Sequence, residues 1–103
     1  MSFKKYKLTT ISTFEEDLIK ITDYIAYQLN NPPAALELAE DIYQAINDRL
    51  YNPLSFEPYV PKGSKVKYYR IRVKNYIVFY VVIVDEMELR RIVYNKRDIN
   101  PFL

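Results

Sequence analysis

The sequence predicts an α+β domain with the element order β-α-α-β-β-β. Three observations carry that prediction. Two apolar stripes recur at helical spacing in the first half of the chain. A run alternating with period two, YYRIRVK, opens the second half. Two further strand-like runs follow it with almost no chain between them. An antiparallel helix hairpin should therefore cover one face of a sheet built from an N-terminal strand and a three-stranded antiparallel meander.

The elements follow in order. Residues 3–10 alternate weakly and read as an edge strand, with Lys4, Lys5 and Lys7 guarding the edge against pairing with other chains. Ser12-Thr13-Phe14-Glu15 fits a capping box, in which hydroxyl and carboxylate satisfy the first amides of a helix. Phe14, Leu18, Ile21, Ile25 and Leu29 then form one apolar stripe. Asn30-Asn31-Pro32-Pro33 ends this helix. Asn31 is placed to cap the next one, where proline in the first turn loses no hydrogen bond. Leu38, Ile42, Ala45, Ile46 and Leu50 form the second stripe, ending before Asn52-Pro53. Residues 54–67 make a loop of roughly 14 residues, a length that usually serves function or motion. The last strands are expected at residues 68–74, 76–84 and 87–94. The middle one, apolar on both faces, should be central, and Asp85-Glu86 should form the turn after it.

At 103 residues the chain is a single domain, 1–103. It has no cysteine and no histidine, which removes disulfides, thiolate chemistry, an ordinary zinc site and a histidine base. No cofactor and no metal site is expected. Residues 1–12 are polar and basic without an apolar signal core, and the longest apolar run, 76–84, is too short to span a bilayer. A cytoplasmic protein without membrane contact is the expectation.

Charge is split along the chain. Residues 1–57 hold five Lys/Arg against nine Asp/Glu, and residues 58–103 hold ten against four. No acid lies between Glu57 and Asp85, while Lys62, Lys65, Lys67, Arg70, Arg72 and Lys74 all do. By parity Tyr68, Arg70, Arg72 and Lys74 share one strand face. Arg90 shares parity with Ile92 and Tyr94, and Lys96 and Arg97 follow. A cationic face among the chain's 11 tyrosines suits an anionic partner, nucleic acid being the commonest large one, or an acidic protein; the plain alternative is a solubilising strand. The helix acids, Asp17 and Asp23 among them, fit no metal motif and read as solvated helix faces.

Several segments resemble a known family. Asp17-Leu18-x-x-Ile21-x-x-Tyr24-Ile25, then Asn31-Pro32-x-Ala34-Ala35, then the run through Ile42, Ala45, Ile46, Leu50 and Pro53 resemble the helix hairpin of the RelE/ParE superfamily. Tyr69-Arg70-Ile71-x-Val73-x-Asn75-Tyr76-x-Val78-x-Tyr80 is similar to its central strands, and Arg91-Ile92-x-Tyr94-x-Lys96-Arg97-Asp98 to its last. The resemblance implies the toxin of a bacterial type II toxin–antitoxin module. A cognate antitoxin encoded beside it would wrap an extended or helical segment around it. ParE-like members poison DNA gyrase; RelE-like members cut mRNA in the ribosomal A site.

This sequence departs from the nuclease branch twice. Ile77 stands where that branch commonly has an arginine, and the tail, Asn100-Pro101-Phe102-Leu103, lacks its tyrosine. The ParE-like reading is therefore preferred, with the mRNA endonuclease second and a non-toxic nucleic-acid or protein-binding module third. In the nuclease case Arg70, Tyr94 and Arg97 would be the catalytic group. In every case Arg70, Arg72, Lys74, Arg90, Lys96 and Arg97 are the candidates for binding target or antitoxin.

Overall fold

The computed structural model describes residues 4–96 and 103. The predicted order holds: strand β1 (Lys7–Thr10), helix α1 (Ser12–Asp23) running into a π-helical turn (Tyr24–Gln28), helix α2 (Pro32–Arg49), then strands β2 (Tyr69–Val73), β3 (Tyr76–Ile83) and β4 (Glu86–Tyr94). The strands form one sheet in the order β1-β4-β3-β2. β2, β3 and β4 make the antiparallel meander, and β1 lies parallel to β4. The apolar β3 is interior, as expected of a strand buried on both faces.

The helix hairpin covers one face. Phe14 from α1 and Leu38, Ile42 and Ile46 from α2 meet Ile71, Val78, Tyr80, Met87, Leu89 and Ile92 from the sheet, all nearly or fully buried. The opposite face carries a smaller cluster of Tyr68, Ile77, Phe79, Val81 and Val93, with Tyr59 from the long loop and Leu103 packed on it. That face is therefore partly roofed rather than a bare cationic surface.

Local chemistry departs from the expected pattern at several ends. β1 is shorter than expected, and of the segment before it only residues 4–6 are described. The capping box does not form. Ile11 takes the N-cap position without a side-chain bond, and the Glu15 carboxylate accepts from the Thr10 hydroxyl at 3.0 Å. Ser12 is already inside the helix, because Ile11 remains extended to donate its N–H to Leu89 of β4 at 3.2 Å.

The end of the first stripe also shifts. The Thr22 hydroxyl donates to the Leu18 carbonyl at 2.8 Å, a back-bond that bends helices. The π-helical turn follows, with Leu29 N–H on the Tyr24 carbonyl at 3.1 Å. The extra residue in that turn rotates Leu29 off the apolar stripe into solvent. Asn30, at φ 50°, closes the helix, and Asn31 N–H reaches back to the Ile25 carbonyl. The Asn31 side chain caps α2 as expected, accepting from Ala34 N–H at 3.2 Å.

Both hairpins of the meander have two-residue loops: Lys74-Asn75 between β2 and β3, and Val84-Asp85, rather than Asp85-Glu86, between β3 and β4. Lys74 and Val84 take φ values of 53° and 57°. β4 has a bulge. Tyr80 faces Leu89 and Phe79 faces Arg91, so Arg90 stands opposite no residue.

Candidate functional site

Two arginines of β2 define the outer sheet face. Arg70 pairs with Phe79 and Arg72 with Ile77, so both stand on the side of the second cluster. Arg72 is exposed. Arg70 is half-buried, its guanidinium 5.5 Å from the ring centre of Tyr59. Tyr59 is held there by a two-way backbone bridge with Tyr68, at 2.6 and 2.8 Å. Tyr68 meets Phe79 edge to face, and its hydroxyl donates to the Leu103 carbonyl at 3.4 Å. The long loop is thus tied to the sheet beside the cationic face.

Arg49, which sequence reasoning passed over, ties the loop a second time. It closes α2, and one guanidinium nitrogen donates to the Arg70 carbonyl at 3.1 Å and to the Tyr80 hydroxyl at 3.0 Å. Its guanidinium carbon lies 3.5 Å from the Phe56 ring centre. The Tyr80 hydroxyl in turn donates to the Pro53 carbonyl at 2.6 Å. The only signal in the sequence was a basic residue in the last turn of a helix, and helix polarity alone explains a cation there.

Burial pushes the Tyr80 hydroxyl above the ordinary value of 10.0, and the nearby Arg49 offsets this in part. A raised folded value favours the neutral form. Its stability is fully present below pH 10 and is lost as pH rises through the folded value. Tyr80→Phe should therefore cost about 1–3 kcal/mol at neutral pH, through the orphaned Arg49 and Pro53 groups. It should also flatten the loss of stability above pH 10. Urea titrations at pH 7 and pH 11 check both outcomes.

The other candidate residues scatter. Lys74 was expected beside Arg72. Its left-handed turn sends the ammonium instead to Glu37 and Asp41 of α2, at 3.2 and 3.3 Å, and these hydrogen-bonding carboxylates raise its pKa above 10.5. Arg90 was expected on the side of Ile92 and Tyr94. The bulge breaks that parity, and it pairs with Glu88 at 3.5 Å. Lys96 is exposed in the turn after β4, and Arg97 lies outside the described residues.

Tyr94 faces Tyr76, which faces Val73, so it stands on the helix-covered side. Its ring meets Tyr76 edge to face at 5.7 Å, and both line a cleft of about 720 Å³ with Lys20, Tyr24 and Leu29. Burial, then the neighbouring Tyr94 and Tyr24, raise the Tyr76 pKa above 10.0. Arg70 and Tyr94 therefore occupy opposite faces of the sheet and cannot address one reacting atom.

Asp17 corrects a further expectation. It is not on a solvated helix face but is only 9% exposed. Its carboxylate accepts from Arg91 Nε at 2.7 Å, Arg91 Nη2 at 3.0 Å and the Ile92 N–H at 3.0 Å. β1 ends opposite Leu89, so beyond that point α1 supplies the acceptor that β4 lacks. Among the described residues no group of three or more acids could hold a metal ion, and no helix is long and apolar enough to cross a membrane.

A family model described as the ParE toxin of the type II toxin–antitoxin system parDE matches residues 12–99. Among solved structures, the chromosomal ParDE toxin–antitoxin system from P. aeruginosa superposes with a TM-score of 0.71 at 18% identity, covering 87% of this chain and 96% of that one. The RelBE2 toxin–antitoxin complex from Mycobacterium tuberculosis gives 0.60 at 19% identity, covering 90% and 94%. At such identities the likeness is one of fold. No curated protein sequence matches.

Proposed function

The chain belongs to the ParE toxin family of type II toxin–antitoxin systems, and from that premise we propose that it inhibits DNA gyrase in the bacterial cytoplasm without cutting RNA, and is silenced by a cognate antitoxin. The observation that carries this reading is the separation of Arg70 from Tyr94 by the thickness of the sheet. A metal-free cleavage of RNA needs a proton-transfer group and cations around one phosphate, preorganised before the reaction. Here the tyrosine is on the helix side and the arginines are on the other. Ile77, at the position where nuclease-type relatives commonly carry an arginine, is 5% exposed within the outer cluster. Loss of one preorganised donor typically lowers a rate by about 10²–10³, so RNA cleavage should be slower by at least that factor.

Arg70 and Arg72 remain available for contact with an acidic protein surface. The two solved structures described above are both toxin–antitoxin assemblies, which supports an antitoxin as the first partner. Brief induction without antitoxin should arrest growth and leave plasmid relaxed or cleaved, while primer extension on an abundant transcript stays at full length. A-site cleavage that disappears with Tyr94→Phe or Arg97→Ala would establish the endonuclease reading instead. No growth arrest at all would leave a plain binding module.

A further inference from the structure

We propose that the tip of the β3–β4 hairpin, together with the loop after α2, docks a carboxylate-bearing aliphatic segment of the cognate antitoxin. The proposal rests on the toxin reading above. Its starting point is Val84. This residue sits at the first loop position of a two-residue hairpin with φ 57°, and is 91% exposed. Positive φ is unfavourable for a β-branched side chain, and such hairpin positions normally go to glycine or asparagine. Val84 packs into neither buried cluster, so no side-chain packing of its own offsets the strain. Strain of this kind persists where the side chain serves a contact outside the fold.

The surroundings supply the rest of the surface. Ile83 from the hairpin and Leu54 and Val66 from the loop are all exposed, and with Val84 they rim a shallow groove of about 470 Å³ that reaches inward to Val81. Lys67 and Arg90 stand in the same groove. Among the described residues no acid lines the groove itself; on the hairpin and β4, Glu88 pairs with Arg90 at 3.5 Å and Asp85 lies near Lys4 and Lys7 at 3.9 and 3.8 Å, while Glu86 makes no ion pair. Lys62, Lys65 and Lys67 have no acidic partner among the described residues. Aliphatic anchors beside Lys67, the cation of this groove without an acidic partner among the described residues, suit a polypeptide that brings aliphatic side chains and a carboxylate together. Nucleic acid is the poorer fit, because a single-stranded base stacks on exposed aromatic rings, and the one ring lining this groove, Tyr69, is only 8% exposed.

Val84→Asn separates a docking role from a packing role. Asparagine tolerates the left-handed conformation, so the free protein should melt at a higher temperature. The lost aliphatic contact should weaken binding to the antitoxin encoded beside the gene by about tenfold or more, read by calorimetric titration. Lys67→Glu should weaken the complex and lessen its salt dependence. A higher melting temperature with unchanged antitoxin affinity would overturn the proposal. So would a lower melting temperature, which would mark Val84 as a packing group. Unchanged antitoxin affinity with lost growth arrest would assign the surface to the toxin's target and overturn it too. A wild-type chain that neither binds the adjacent antitoxin nor arrests growth would instead defeat the toxin reading itself.

Discussion

Asp17→Ala is expected to lower stability by about 3–5 kcal/mol, the range for removing one partner of a buried ion pair. Three donors lose their acceptor at once: two guanidinium nitrogens of Arg91 and the backbone N–H of Ile92. The Arg91 charge, its side chain 23% exposed, is left without the bidentate carboxylate it faces in the fold. For a domain of about 100 residues such a loss lowers the melting temperature by roughly 12 °C or more. Asp17→Asn keeps one acceptor oxygen and should cost less. Thermal melts of both variants check the ranking. An Asp17→Ala melt within about 2 °C of wild type would mean that this contact does not join α1 to β4.

Ile46→Ala is expected to cost about 2–5 kcal/mol, since Ile46 is fully buried where α2 meets the sheet. Leu18 is only partly buried at the margin of the same cluster, so Leu18→Ala should cost less. Urea unfolding measures both as shifts in midpoint at constant slope. Equal costs would mean that the two helices contribute alike to one closed core. A negligible cost at Ile46 would place the core elsewhere.

Much of the framework was legible because its signals are local. The stripe through Leu38, Ile42 and Ile46, the alternation of Tyr69, Ile71 and Val73, and the cap at Asn31 each depend on neighbours a few residues away. The unequal charge of the two halves was legible for the same reason. Arg70 and Arg72 share a face as their spacing requires. The site was less legible. Asp17 reads as one more acid on a charged helix until Arg91, 74 positions away, is brought to it. Arg49 reads as an ordinary basic residue at a helix end until Tyr80, 31 positions away, meets it.

By itself, then, the sequence determined the elements, their order, the helix-covered core and the family to which the chain belongs. Only the tertiary structure decided which charged groups are neutralised and which side of the sheet each occupies. The reason is the period of two along a strand, where a single extra or turned residue reverses every assignment beyond it. The bulge at Arg90 and the left-handed turn at Lys74 are such residues. Together with the pairing of Tyr94 to Tyr76, they distribute over both faces of the sheet the side chains that the linear pattern offered as one set of candidates.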